Sequence, residues 1–362
     1  MIYLGYIAFA LAMVQLFVVI VNLIYPQKLR SRPQGRGEMV SVLVPARDEE
    51  GNIGNLLSDL ISQTYIYTEI LVYDDLSSDR TPEIVNHFSC SDRRVRLING
   101  LELPGGWLGK NHGCYRLAEK AAGRHFLFLD ADVRVENDFI QKIVRFAREK
   151  EVQLLSIFPV QRMKTAGEWL TVPLMNYILL SLLPLILVRK SRRPSLSAAN
   201  GQCMLFEAGI YRKLQPHKNM KNSRFEDIDI ARSYKRSGMK VACLASAREV
   251  SCRMYGGYND AVKGFSKNVT GFFGNSLTFA LLFWIMTTFG IIPVILVFSP
   301  PLVLAYISVI LITRALVALI SNQDIQINLL AFIPQQLSLG VIIFRSFLNE
   351  YYGKYLWKGR TI

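Results

Sequence analysis

The sequence predicts an α/β protein with a mixed, mostly parallel sheet, joined to transmembrane helices. Three observations predict it. Between about Glu38 and Lys267 short apolar runs alternate with helical stretches, the pattern of strands connected by crossover helices. Several of those runs end in carboxylates, most sharply in Leu127-Phe-Leu-Asp-Ala-Asp-Val133. Long near-uncharged stretches flank this region on both sides, so the 51% hydrophobic content of the 362 residues is unevenly spread.

The elements follow in order. Ile2 to Ile24 is apolar apart from Gln15 and Asn22, and about 20 helical residues cross the hydrocarbon layer. The basic residues Lys28, Arg30, Arg32 and Arg36 follow this run rather than precede it, which favours a retained anchor over residues 1–26 with the following chain in the cytoplasm. Val40–Pro45 is the first strand, residues 52–63 a helix, and Glu69–Asp74 the second strand. Thr81 is expected to cap a helix with Pro82 at its first position. Val95–Ile98, His125–Asp130, Leu154–Phe158 and Lys240–Leu244 read as further strands; Lys110–Ala122, Asp138–Lys150 and Glu226–Ser237 read as helices. Leu277–Phe298 and Leu302–Ile320 form a helical hairpin around Ser299-Pro-Pro301. Ile325–Leu348 is a third candidate span, interrupted by Pro334 and Gln335-Gln336. The tail, residues 351–362, carries Lys354, Lys358 and Arg360 and is expected on the cytoplasmic side. Four full spans would put it on the other side, so either the last segment of 277–350 is re-entrant or a boundary lies elsewhere.

The net charge of +14 suits nucleic acid or an anionic membrane surface, and the adjacency of basic clusters to the spans favours the membrane. Five scattered cysteines without a Cys-x-x-Cys spacing fit a reducing compartment and argue against a zinc site or a disulfide framework. A dinucleotide fold would need Gly-x-Gly-x-x-Gly after its first strand, where this chain has Pro45-Ala-Arg-Asp-Glu-Glu-Gly51. A phosphate-binding loop ending in Gly-Lys-Ser/Thr finds only Pro104-Gly-Gly-Trp-Leu-Gly-Lys110-Asn111. Both readings fail.

Three acidic clusters remain, each at the carboxyl end of a strand: Asp48-Glu49-Glu50, Asp74-Asp75 and Asp130/Asp132. That is where open α/β sheets bind ligands. Carboxylates suit ribose hydroxyls and base N–H groups. Asp130 and Asp132 repel one another unless neutralised, and a divalent cation carrying an anionic diphosphate on its far side does so. Any single cluster also reads as a solvated turn; three strand-end clusters in one domain point to an enzyme handling a metal–nucleotide complex.

Taken together, Val42-Leu-Val-Pro-Ala-Arg-Asp-Glu-Glu50, Val72-Tyr-Asp-Asp-Leu-Ser-Ser-Asp-Arg-Thr81, Gly106-Trp-Leu-Gly-Lys110, Asp130-Ala-Asp132 and Glu226-Asp227 resemble family 2 of the inverting glycosyltransferases, which have the GT-A fold. The resemblance covers roughly Val40 to Asn268. It implies that Ala46, Arg47 and Glu49 line a uridine site, that Asp75 hydrogen-bonds the nucleoside and that Lys110 approaches the nucleotide. It implies that Asp130 and Asp132 hold Mg²⁺ or Mn²⁺ against a sugar-nucleotide diphosphate. Asp227, beside Glu226, would be the general base, and Gly201 and Gln202 would lie near the acceptor. Helix-terminal acids favoured by the macrodipole are the competing reading of Glu226-Asp227. Processive members carry Gln-x-x-Arg-Trp after the base; here Gly264-Phe-Ser-Lys-Asn268 stands instead, so Lys267 would face the diphosphate and a single transfer is expected. That segment and the closing Trp357-Lys-Gly-Arg360 resemble a membrane subgroup around carotenoid and hopanoid glycosyltransferases, which implies a lipid-like acceptor.

The apolar stretch 170–188 lies between the acidic pair and the candidate base. One crossing there would separate them across the bilayer, so an interfacial segment broken at Pro173 and Pro184 is expected within a cytoplasmic domain of residues 38–268, its Arg189-Lys-Ser-Arg-Arg193 gripping headgroups. A polyprenyl-phosphate glycosyltransferase, a polysaccharide synthase and a noncatalytic membrane scaffold remain as alternatives.

Overall fold

The computed structural model describes residues 1–27, 29, 37–352, 356–357 and 360–361. Lys28, Arg30, Arg32, Arg36, Lys354 and Lys358, on which the expected sidedness rests, lie outside the described residues, as does the side chain of Arg360. The chain forms two compact units. One comprises Gln27–Val160, Val188–Cys252 and Leu356–Ile362 and contains the sheet; the other comprises Met1–Pro26, Gln161–Leu187 and Arg253–Tyr355 and is helical.

The strands of the sheet unit are β1 (Val40–Ala46), β2 (Thr68–Asp74), β3 (Val95–Asn99), β4 (His125–Leu129), β5 (Val133–Val135), β6 (Leu154–Gln161), β7 (Cys203–Glu207) and β8 (Val241–Cys252). They lie in the order β3-β2-β1-β4-β7-β6-β8-β5. β3, β2, β1 and β4 run parallel. β7 is antiparallel to both β4 and β6, and β5 is antiparallel to β8. β2 and β4 are buried along their whole length, and their apolar stretches Ile70–Tyr73 and Phe126–Leu129 suit strands covered on both faces. Truncating the fully buried Leu127 to alanine therefore costs about 2–5 kcal/mol.

Two features decide where chemistry can occur. The parallel block delivers the chain segments after β1, β2 and β4 to one sheet edge. The antiparallel pairing Leu129↔Cys203 then brings the start of β7 to the end of β4, where the Asp130 N–H donates to the Gln202 carbonyl at 3.1 Å.

One expected cap is different. Thr81 is the first residue of the helix Thr81–Ser91 and Arg80 its cap position. The Thr81 hydroxyl accepts from the Glu49 N–H at 2.8 Å and donates to Asp79 at 2.6 Å, so it joins two loops instead of closing the helix end. β8 also runs eight residues beyond the expected Leu244, to Cys252, because β5 supplies a partner through Val133↔Cys252.

In the helical unit, Ile2–Ile24 and Pro300–Ile320 have the length and composition to cross a membrane. The pair Tyr258–Phe273 and Leu277–Phe289, bent by 98°, would make a third if it is one broken span. The expected single helix over 277–298 is divided into Leu277–Phe289 and Ile291–Val297. Pro293 has no N–H to return to the Phe289 carbonyl. A Cβ at Gly290 would stand 3.0 Å from Ala8 Cβ, so the joint also lets the backbone approach the first helix. The break expected at Pro334 falls earlier, at Ala331, between Ile325–Leu330 and Phe332–Tyr352. Pro334 sits in a first turn, where a missing N–H costs nothing. The segment 166–190 is three short helices, Ala166–Thr171, Pro173–Leu182 and Leu185–Lys190, interrupted at the two prolines. Pro173–Leu182 is enclosed almost all round. Gln15 donates to Tyr177 and Ser181 at 3.0 and 3.1 Å, and Asn22 donates to the Leu180 and Leu183 carbonyls at 2.9 and 3.0 Å. The two polar breaks in the first apolar run are thus its bonds to this helix.

Candidate active site

The loops after β1 and β2 are stitched together. The Asp48 N–H donates to Ser77 Oγ at 3.0 Å, the Ser78 N–H donates to Asp48 Oδ1 at 2.8 Å, and the Glu50 N–H donates to Asp79 at 2.9 Å. Asp48 and Leu76 are both in the left-handed region, φ 50° and 55°, one in each loop. Aspartate tolerates this conformation; leucine does so only under local constraint. Arg47 Nη1 donates to the Asp75 carbonyl at 2.6 Å and lies 3.9 Å from its carboxylate, while the Asp75 N–H donates to the Ala46 carbonyl at 2.8 Å. Ala46, Arg47 and Asp75 therefore form one wall, and the charge of Glu49 reaches Asp132.

The second cluster is different in kind. Lys110, in the first turn of the helix Gly109–Lys120, pairs with Asp130 at 2.7 Å, donates to the Gly201 carbonyl at 3.3 Å and lies 3.9 Å from Glu226. Burial works against its ammonium, but the charges of Asp130 and Glu226 outweigh burial and hold it above the ordinary lysine range. Asp132 is pushed up to about 7 by burial and then by the charge of Asp130. Among the described residues its Oδ1 is buried without a hydrogen-bond partner, and the thiol of Cys252 bonds its carboxylate. Gln202 Nε2 donates to the same sulfur at 2.9 Å.

Glu226 and Asp227 open the helix Glu226–Arg236. The loop before it is fixed by Asn111 Nδ2, which donates to the carbonyls of Met220 at 2.8 Å and Ser223 at 3.2 Å. Glu226 is pushed up to about 8 by burial and, further, by Asp227, against the pull of Lys110. Burial also raises Asp227, but its two oxygens accept N–H groups, Gly201 at 3.0 Å and Ile228 at 2.7 Å, which favour its charged form. A carboxylate oxygen keeps a second lone pair, so Asp227 can still accept a proton. Gly201 is tightly enclosed: a Cβ would stand 3.1 Å from Lys110 Nζ and 3.2 Å from Glu226 Oε1, so either side chain would have to shift to admit one.

Asp130, Asp132, Glu226, Asp227, Lys110, Gly201 and Gln202 thus meet at one edge of the sheet. Lys267 lies on the helix Tyr258–Asn268 of the helical unit. Sequence reading missed Cys252, whose place beside Asp132 follows from the β5–β8 register, and Asn200, whose Oδ1 accepts the Gln202 N–H at 2.8 Å. Neither carries a local signal.

The residues fit a divalent cation: a buried carboxylate oxygen without a partner stands beside a second carboxylate that repels it. Among the described residues no three His, Cys, Asp or Glu side chains converge as a complete metal site. Two carboxylates completed by substrate phosphate oxygens is a common arrangement for Mg²⁺.

The fold and this edge define a class. The sequence model of Glycosyl transferase family 2 matches residues 41–215, a little under half of the chain. It is similar to 4,4'-diaponeurosporenoate glycosyltransferase of Staphylococcus haemolyticus, 28% identical over 64% of this chain and 61% of that protein. The Staphylococcus aureus (strain USA300) protein of the same name is 25% identical over 64% of this chain and 60% of its own. The matched region thus spans about three fifths of these relatives. In fold the chain is similar to a mannosyltransferase of Pyrobaculum calidifontis solved with GDP-Man and Mn²⁺, with a TM-score of 0.59, 16% identity, and coverage of 96% of this chain and 99% of that one.

Proposed function

We propose that this protein is a membrane-attached inverting glycosyltransferase. It moves a single sugar from a nucleotide-diphospho sugar, UDP-linked in our reading, to a lipid-like acceptor of the carotenoid-acid kind. The observation that carries the proposal is the chain of contacts through Gly201. Its N–H donates to Asp227 at 3.0 Å, its carbonyl accepts from Lys110, and Lys110 pairs with Asp130 at 2.7 Å. A proton acceptor and the carboxylates suited to a metal–diphosphate therefore share one site. The named activity of the staphylococcal relatives supports the acceptor class.

In this mechanism Ala46, Arg47, Glu49 and Asp75 bind the nucleoside, and Lys110 and Lys267 face the diphosphate. Asp130 and Asp132 would hold Mg²⁺ or Mn²⁺, which when bound stabilises the negative charge of the departing diphosphate as a Lewis acid. The acceptor, placed by Gly201 and Gln202, attacks the anomeric carbon from the face opposite the diphosphate. One C–O bond forms as the sugar–phosphate bond breaks, and the configuration inverts. Asp227, oriented by the Gly201 and Ile228 N–H groups, takes the proton of an acceptor that arrives as a hydroxyl or un-ionised carboxyl; a carboxylate acceptor attacks without giving one up. Glu226 keeps a high proton affinity beside it, so the two carboxyl groups need not both be charged.

We further propose that residues 1–26 anchor the chain, that 38–268 act on the cytoplasmic side of the cell membrane, that 170–188 lie at the interface and lead the acceptor in, and that 277–350 embed in the bilayer. Nucleotide-sugar hydrolysis by the full chain with Mn²⁺, abolished by Asp130→Ala, separates this enzyme from a noncatalytic scaffold. Lipid extracts of cells with and without the protein should differ by one hexose on a polyene or other isoprenoid. A polymer product would favour the synthase reading, and a hexose on a polyprenyl phosphate the third reading.

A further inference from the structure

The helical unit contains an arginine where an apolar helix should have none. Arg314 is on Pro300–Ile320, six residues before its end, about 9 Å along the axis, and is 3% exposed. Ionisable side chains in membrane-crossing helices pair with an opposite charge or mark a ligand path. Among the described residues no carboxylate lies within ion-pair distance of Arg314.

Its surroundings hold the guanidinium in one pose. The Tyr177 ring covers one face, with the guanidinium carbon 3.6 Å from its centroid. Nη1 donates to Gln335 Oε1 at 3.1 Å. Gln335 is itself fixed, since its Nε2 donates to the Trp169 carbonyl at 2.9 Å and to Asn328 Oδ1 at 3.3 Å. Nε and Nη2 are left, both buried and, among the described residues, without a hydrogen-bond partner. Those two N–H groups share one edge of the guanidinium, the edge that grips a carboxylate or phosphate in parallel. The same edge does so elsewhere in this chain: Nε and Nη2 of Arg134 donate to the two oxygens of Asp59 at 2.6 and 2.7 Å. Another buried cation, Lys235, does find a partner, the Leu196 carbonyl at 2.6 Å.

We propose that Arg314 is a binding site for the oxyanion of an amphiphile, a carboxylate or phosphate carried on an apolar chain, held side-on by Nε and Nη2. Two sources share that chemistry: an acid-bearing acceptor, which rests on the sugar-transfer reading, and an anionic phospholipid, which does not.

The test uses the full chain in phosphatidylcholine nanodiscs without nucleotide or metal, so that loss of sugar transfer and loss of this site read out separately. The probe is cis-parinarate, a fluorescent polyene carboxylate, with its methyl ester as the neutral control. The wild-type chain should bind the acid at least about tenfold more tightly than the ester, a preference that needs no variant to observe. Arg314→Gln should remove that preference, and Arg314→Lys should restore only part of it, because an ammonium lacks the planar fork. Displacement of the probe by phosphatidylglycerol assigns the site to a lipid headgroup. Displacement by oleate but not by phosphatidylglycerol assigns it to a carboxylic acid. Equal affinity of the wild-type chain for acid and ester, or an unchanged acid preference in a folded Arg314→Gln chain, overturns the proposal.

Discussion

Two carboxylate-rich regions share one edge of the sheet, and they are opposite in electrostatic character. After β1 and β2, Asp48, Glu50 and Asp79 accept hydrogen bonds from backbone N–H groups of the facing loop. Thr81 completes the zipper by accepting from Glu49. After β4 and at the start of the helix Glu226–Arg236, Asp130, Asp132, Glu226 and Asp227 crowd around a single lysine, and burial raises Asp132, Glu226 and Asp227 above the usual carboxylate range. Counting acids does not separate the two regions. Burial and crowding do: the acids after β1 and β2 tie two facing loops together, and the buried acids close to one another around Lys110 are raised in proton affinity.

The largest expected effect falls on the crowded side. Asp227→Asn keeps the shape and one of the two backbone N–H contacts but cannot take a proton, so transfer should slow by about 10²–10⁴-fold while the melting temperature falls by only about 2–4 °C for the lost hydrogen bond. Near-normal initial rates in this variant would erase the distinction.

Acid sensitivity needs separating from the carboxylates, because a histidine is buried behind the same strands. His217 packs on Phe128 and bonds the Tyr211 hydroxyl at 2.7 Å, and burial, then Lys110, pushes it down to about 3. The unfolded imidazole takes a proton near pH 6.5, so between about 6.5 and 3 the unfolded state binds more protons. Stability is therefore full above about pH 6.5 and falls by up to roughly 1.4 kcal/mol per pH unit below it. Melting curves between pH 7 and 4.5 should show a loss of about 2–3 kcal/mol, and His217→Gln should flatten them. An equally steep variant would assign the acid loss to other groups.

Gly201→Ala probes the junction. The new methyl meets the mobile ends of Lys110 and Glu226 rather than backbone, so the melting temperature should hold while activity drops about tenfold or more through misplacement. On the satisfied side, Thr81→Val should cost about 1 kcal/mol of stability, read by denaturant melts. It should leave the rate per folded molecule within about twofold.

Much of the fold was legible because its signals are local. Apolar runs located β1, β2 and β4 to within a residue or two, and the carboxylates closing them could be read directly. The long end helices announced themselves by composition. Less was legible where the cause is distant. The reach of β8 to Cys252 depends on β5, the division at Gly290 and Pro293 on a neighbouring helix, and the role of Thr81 on a loop some thirty residues earlier. Gln15 and Asn22 read as blemishes in a span until their partners on Pro173–Leu182 are known.

By itself the sequence determined the alternation of strand and helix, the strand-end placement of the acids and the apolar character of the termini. These follow from side-chain periodicity and chain direction, which a stretch of ten residues carries. Only the tertiary structure decided that β7 lies antiparallel against β4, so that Gly201 joins Asp227 and Lys110 to Asp130, and that Arg314 faces Tyr177 and Gln335. Pairing between elements far apart along the chain is settled by packing and register, which no local pattern encodes.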